Sequence, residues 1–202
     1  MTAVPTSPPS IPRVPQMPPQ AVNRLGELMR SAKVYLEYGS GGSTFMALDS
    51  GIGMTISVES DLAWLRTLEQ QAASTSGERI LLHGDIGPTV ALGHPASDQH
   101  WRKWKQYPLT PWMTCKERGL EPDLVLIDGR FRVACFCASL LFAKPGATLL
   151  FDDYVERTPY HVVEQFVQPI AWHDRMAEFV RPEELDRDAV WLALMEGVTA
   201  PF

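Results

Sequence analysis

Cysteine is scarce: the 202 residues hold three, Cys115, Cys135 and Cys137. An odd count gives no complete disulfide set, and the spacing is not that of a zinc site. Cys135 and Cys137 fall in an apolar helical stretch and read as small core residues of a protein in a reducing compartment, expected to be the cytoplasm. Long apolar runs are missing as well. With none reaching 18 residues, no membrane span is expected, and the N-terminus lacks the basic-then-apolar order of a signal peptide. Basic residues are outnumbered, 18 against 24 acidic, for a formal net charge of −6. That balance argues against nucleic acid as the main partner of the surface and leaves a small molecule as the expected one.

What remains is ordinary for a globular domain: 45% hydrophobic and 21% charged residues in a length that suits one core. Proline is the exception. Residues 1–19 hold seven of the 17 prolines and one charge, Arg13. Such a segment pairs few backbone donors, so it is expected as an extended, loosely held arm, dispensable for folding, in front of a domain over 20–202.

From Ala21 onward, helical stripes alternate with short apolar runs. Val22, Leu25, Leu28 and Met29 share one helix face, and Lys33–Glu37 then reads as a strand. Thr44–Leu48 looks helical, Met54–Val58 is a second strand, and Leu62, Leu65 and Leu68 stripe the next helix. Arg79–Leu82 is a third strand. The interval from Gly84 to Glu121 resists assignment. Beyond it, Pro122–Ile127 is a strongly apolar strand, and Val133, Phe136, Cys137, Leu140 and Leu141 mark a helix. Ala147–Phe151 is a fifth strand, Val162, Val163, Phe166 and Val167 suggest another helix, and Ala189–Leu194 reads as an edge strand. Strands apolar on both faces with helices between them imply a buried parallel sheet covered on both sides. Ligands of such α/β sheets bind at the carboxyl ends of the strands.

Those ends carry distinctive residues. The first strand runs into Glu37-Tyr38-Gly39-Ser40-Gly41-Gly42-Ser43-Thr44, a loop whose glycines permit a tight turn and close approach of a ligand. The second ends at Glu59, eighteen residues beyond Gly41, near the spacing at which a carboxylate accepts from both hydroxyls of a ribose. Asp61 suits the cap of the following helix. The third strand leads to His83-Gly84-Asp85. The fourth ends in Asp128 and the fifth in Asp152-Asp153, with Arg130, Arg132, Arg157, Tyr160 and His161 nearby in sequence.

Glu37-x-Gly39-x-Gly41, Glu59 and Gly84-Asp85 together resemble the cofactor pocket of class I S-adenosylmethionine-dependent methyltransferases, over most of residues 33–165. The resemblance implies a doubly wound α/β fold with a mostly parallel seven-stranded sheet, one edge strand reversed, and helices on both faces. It also implies that Glu37 and the Gly39–Gly42 backbone, Ser40 included, hold the methionine end of the cofactor, Glu59 the ribose and Asp85 the adenine. Ser43 replaces the third glycine of the usual loop, and it and Thr44 become donors to the cofactor's carboxylate. An acidic Glu37 opening the loop suits an ammonium group better than a pyrophosphate.

The carboxylates after the fourth and fifth strands resemble the metal site of catechol-type O-methyltransferases. This implies a magnesium ion on Asp128, Asp152 and Asp153, with Asp153 standing where asparagine is usual there. Arg130 and Arg132 are the competing means of neutralising those charges. The expected reaction is methyl transfer to an oxygen or nitrogen of a small molecule, with Asp128 orienting or deprotonating the acceptor, Arg130 receiving an anionic group and His161 as the nearest imidazole for proton transfer. A cofactor-binding module without turnover, and a nicotinamide-dependent oxidoreductase, are the alternatives. The segment around Trp101, Trp104 and Trp112 is expected as a flap over the substrate or a homodimer contact.

Overall fold

The computed structural model describes residues 10–201; the first half of the proline-rich arm lies outside it. Pro19 opens α1 (Pro19–Met29), where a fixed φ and a missing N–H cost nothing. The chain continues through β1 (Val34–Tyr38), α2 (Gly42–Ser50), β2 (Met54–Glu59), α3 (Leu62–Ala72) and β3 (Arg79–His83). After a long excursion come α4 (Gln106–Arg118), β4 (Leu124–Ile127), α5 (Arg132–Phe142), β5 (Thr148–Phe151), β6 (Ala171–His173), β7 (Met176–Val180) and α6 (Arg187–Gly197). Asp61 caps α3 as expected, its carboxylate accepting from Ala63 N at 2.8 Å and Trp64 N at 3.0 Å.

The sheet has seven strands in the order β3-β2-β1-β4-β5-β7-β6. Strands β1 to β5 pair in parallel, while β7 runs antiparallel to both β5 and β6. Period-two alternation sends each strand's residues to opposite faces. Leu36, Tyr38, Val125, Ile127 and Phe151 pack on the side of α4, α5 and α6. Tyr35, Leu126 and Leu150 pack under α1 and α2. The fold is therefore the doubly wound α/β sheet that the strand ends implied. Because the chain proceeds outward from β1 to β3 on one side and from β4 to β5 on the other, a crevice opens between the carboxyl ends of β1 and β4. Among the described residues, no helix is long and apolar enough to cross a membrane.

Three local expectations change. Ala189–Leu194 is not a strand but the middle of α6, started by Asp186, which accepts from Ala189 N at 3.0 Å. Val190 and Leu194, four apart, are the buried pair, a helical spacing masked by the exposed apolar Trp191 and Leu192 beside them. The reversed strand is β7. The stretch around Val162 forms a 3₁₀ segment, Thr158–Gln165, with Pro159 near its start.

The arm's described half is anchored, not loose. Ile11 is buried among Phe45, Leu48, Leu68 and Ala72 on α2 and α3. Arg13 pairs with Asp49 at 2.9 Å and lies over the Phe45 ring. Alternating hydrophobicity carries no signal in a proline-rich stretch; its hold on the domain comes from Ile11, the Arg13–Asp49 pair and backbone contacts, Ile11 N donating to Gln71 Oε1 at 3.3 Å and Arg175 donating to the Gln16 carbonyl at 3.0 Å.

Candidate functional site

The crevice holds a cavity of about 430 Å³ at the carboxyl ends of the strands, within the usual range for a small-molecule site. Four parts build it: the loop after β1, the ends of β2 and β4, the rim after β5 with the β6–β7 turn, and a roof made by the arm and the excursion between β3 and α4.

The loop after β1 is pinned by Glu37, which is fully buried beneath it. Its carboxylate accepts from Tyr35 Oη at 2.9 Å, from Ser43 Oγ at 2.6 Å and from Thr44 Oγ1. Burial pushes its pKa up, and these hydroxyls offset part of that rise. Glu37, Ser43 and Thr44 therefore spend their side chains on one another. Glu37 does not reach the cavity, and the hydroxyls expected to meet a cofactor carboxylate are already committed. Gly39, at φ +92°, brings the backbone against the β4 loop, where a Cβ would sit 2.9 Å from the Asp128 carbonyl. A Cβ on Gly41 would meet nothing within 4 Å, so the loop shows a bare, open face there. Ser40 ties the loop sideways, its N–H donating to Glu59 and its carbonyl accepting from Trp64 Nε1 at 2.8 Å.

Glu59 lines the cavity. Its Oε1 accepts from Ser60 N and Asp61 N, at 2.8 and 2.9 Å, and Ser60 Oγ lies 3.2 Å away. Oε2 accepts only from Ser40 N, at 3.1 Å, leaving a lone pair for a ligand. Burial raises its pKa, against those backbone donors. Asp85 turns away: it pairs with Lys103 at 2.8 Å and takes Gly87 N, and the lysine hydrogen bond lowers its pKa. It is not among the residues that line the cavity, its carboxylate being held by Lys103 and Gly87 N.

At the β4 and β5 ends, arginines and not a metal cradle meet the three aspartates. Arg132 donates to Asp128 Oδ1 at 3.0 Å and to the Asp152 carbonyl at 2.6 Å, and lies 3.4 Å from Asp153. Arg175 grips fully buried Asp152 with two hydrogen bonds, at 3.2 and 2.8 Å, and reaches Asp153 at 2.9 Å. Arg157 adds a third contact to Asp153 at 3.0 Å. Among the described residues no group of three or more His, Cys, Asp or Glu is arranged to hold a metal. The expected magnesium ligation finds no support here: guanidinium groups hold the oxygens of Asp152 and Asp153 and Oδ1 of Asp128, and only Asp128 Oδ2 is left without one. The neutralising residues are also not the expected pair, because Arg175 was distant in sequence and Arg130 touches none of these carboxylates. Asp128 and Asp153 both border the cavity, whereas Asp152 does not; the Asp128 pKa is raised to about 7 by burial, Arg132 opposing and Asp152 and Asp153 adding to the rise.

His161 is also displaced from its expected role. Its Nε2 lies 3.1 Å from the Tyr154 carbonyl, and its ring packs beside that of Tyr154, away from the cavity. The imidazole on the cavity wall is His94, which reaches Arg130. Burial and then the positive charge of Arg130 lower its pKa. Two tryptophans of the Trp-rich segment are internal: Trp104 packs on Phe131 and Trp112 donates to Tyr38 Oη at 2.8 Å. They seat α4 so that Tyr107 borders the cavity.

Comparison with solved structures decides the family. A methyltransferase-like protein from Silicibacter pomeroyi is 39% identical, with a TM-score of 0.84 over 94% of this chain and 100% of that one. The chain belongs to that methyltransferase-like family. The YhhF protein of Escherichia coli, a candidate methyltransferase, shares the fold at 15% identity and a TM-score of 0.53, over 86% of this chain and 92% of its own. No family model and no curated protein matches the chain. Within this methyltransferase-like framework, the residues that sequence reasoning missed are His94, Tyr107, Trp64 and Arg175. His94 lies in the excursion and Tyr107 in α4, both within the stretch from Gly84 to Glu121 that resisted assignment, and only Trp64, beside the Asp61 cap, sat near a recognised strand end.

Proposed function

We propose that the chain transfers the methyl group of S-adenosylmethionine to an oxygen or nitrogen of a small molecule in the cytoplasm. The observation that carries this reading is the arrangement around one cavity. The bare face of Gly41 and the free lone pair of Glu59 Oε2 lie on its β1–β2 side, and Asp128 lies on its β4 side. An open glycine backbone, a diol acceptor and an apolar wall including Trp64 and Leu92 fit a nucleoside carrying an amino-acid tail. When bound, the cofactor supplies an electrophilic methyl group on a positively charged sulfur.

The chain's own residues contribute position and proton handling. Glu37 fixes the loop, Glu59 orients the ribose, and the roof limits water. Asp128, with a pKa near neutrality, is placed to accept the acceptor's proton as a general base. Its neighbour Arg132 holds it in register through Oδ1.

The test is calorimetry with S-adenosylhomocysteine and with NAD, followed by an assay for S-adenosylhomocysteine release over a panel of small hydroxyl and amine acceptors. Binding of the nucleoside thioether but not NAD, with turnover abolished by Asp128→Asn, is the expected result. Binding without turnover on any acceptor would favour a cofactor-binding module. NAD binding would favour an oxidoreductase.

A further inference from the structure

Four arginines line the cavity, and three of them are matched. Arg132 serves Asp128 and Asp153, Arg157 serves Asp153, and Arg175 serves Asp152 and Asp153. Arg130 is the remainder. It is only 8% exposed, it makes no ion pair among the described residues, and its one side-chain partner is His94. A guanidinium withdrawn from water without a counter-anion is unfavourable, and a neutral imidazole does not supply the missing charge. Burial and the neighbouring guanidinium both disfavour a charge on the His94 ring.

Two further features point the same way. α5 begins two residues after Arg130, with no side-chain cap and no acidic residue in its first turn, so the positive end of that helix is also unmatched. The excursion that carries His94 is fastened across the cavity, Ser60 Oγ donating to the Gly93 carbonyl at 2.8 Å. Arg130 and His94 thus approach each other from opposite walls.

We infer that Arg130, flanked by His94, forms an oxyanion subsite of this cavity, so that the methyl acceptor carries a carboxylate or a phosphate group. This rests on the methyl-transfer reading for the identity of the ligand as acceptor. Arg130 follows β4, while His94 is held at the β2 end through Gly93, so the subsite spans the cavity between these two rims. The planar guanidinium fork matches two oxygens of either group.

The test uses the full chain. S-adenosylhomocysteine affinity is measured first by calorimetry. Inorganic phosphate and acetate are then titrated, with and without the thioether, for parent, Arg130→Gln and Arg130→Lys. At least one anion is expected to bind the parent saturably, with affinity falling by about ten-fold or more in Arg130→Gln. In Arg130→Lys, which keeps the charge but loses the fork and guards against a folding defect, several-fold weakening is expected. Tighter phosphate binding assigns a phosphorylated acceptor, and tighter acetate binding a carboxylate. No saturable binding by the parent, or anion binding indifferent to both substitutions, overturns the subsite. A ten-fold loss of S-adenosylhomocysteine affinity in Arg130→Gln also overturns it, because Arg130 would then pair with the cofactor's own carboxylate. Arg130-dependent anion binding by a parent that ignores S-adenosylhomocysteine would keep the subsite and sink the methyl-transfer reading instead.

Discussion

The carbonyl group of Val14 occupies the space that a side chain on Gly42 would need: a Cβ there would lie 2.3 Å from both its carbon and its oxygen. The glycine at the start of α2 is thus required by the protein's own N-terminal arm. The arm in turn forms part of the roof over the loop that follows β1.

Gly42→Ala should therefore lift the arm off the domain. The backbone cannot yield as a flexible side chain could, so the substitution should cost about 1–3 kcal/mol of stability. Deleting residues 1–17 should cost a similar amount, chiefly through Ile11, whose burial contributes on the order of 1.5–3 kcal/mol, and through the Arg13–Asp49 pair. In the deletion background Gly42→Ala should be nearly neutral. Denaturant unfolding of the two single changes and the combination checks this; simple additivity would show that arm and glycine are not in contact.

Arg175 sets the second expectation. Asp152 is wholly buried and its two oxygens are held by this one side chain. Arg175→Ala leaves a buried carboxylate without its cation, which should cost about 3–5 kcal/mol. Magnesium should neither stabilise the parent specifically nor rescue the variant. A melting-temperature series with and without magnesium on both proteins reads this out, and a saturable magnesium response in the parent would restore the metal site.

Asp128 gives a signed pH dependence. Its folded pKa of about 7 lies above the ordinary carboxylate value, so the native state binds this proton more tightly than the unfolded chain. Its contribution to stability is present at low pH. It is lost as pH rises from the unfolded pKa of about 3.9 through the folded one. Relative to Asp128→Asn, the parent should lose stability across that window at about 1 kcal/mol per pH unit, below the ~1.4 limit for one proton, and the difference should level off above pH 8. Parallel slopes for parent and variant between pH 4 and 7 would place the pKa near its ordinary value. Methyl transfer should rise with pH over the upper part of the same window and lose that dependence in the variant.

The sheet was legible because buried parallel strands announce themselves as short apolar runs, and the glycine loop and Glu59 because each follows such a run directly. Local patterning failed where partners come from far along the chain. Arg175 meets Asp152 through the β6–β7 turn, and His94 meets Arg130 through an excursion without hydrophobic period. Asp85 shows the converse: its place after β3 suggested a ligand, while Lys103, eighteen residues on, takes its carboxylate. Strand ends mark where chemistry gathers, but charge matching across the cavity decides which side chains remain available.

That distinction separates Glu37 from Glu59 and gives the last expectation. Both are buried, and burial raises the pKa of both. Every oxygen of Glu37 accepts from a hydroxyl of the protein, whereas Glu59 Oε2 keeps a vacant lone pair toward the cavity. Glu37→Gln puts an amide donor among hydroxyl donors, so it should lower folding stability by about 1–3 kcal/mol. Its effect on ligand affinity should be small where the chain stays folded. Glu59→Gln retains one acceptor for the backbone N–H groups but loses charge and acceptor capacity for the ribose. It should weaken S-adenosylhomocysteine binding by about 1–3 kcal/mol, with a smaller change in unfolding free energy. Calorimetric affinity and denaturant midpoints measured on the same two variants separate the roles. If Glu37→Gln were the one to lose affinity at unchanged stability, its carboxylate would have to reach the ligand, and the loop-fastening role given to it here would be wrong.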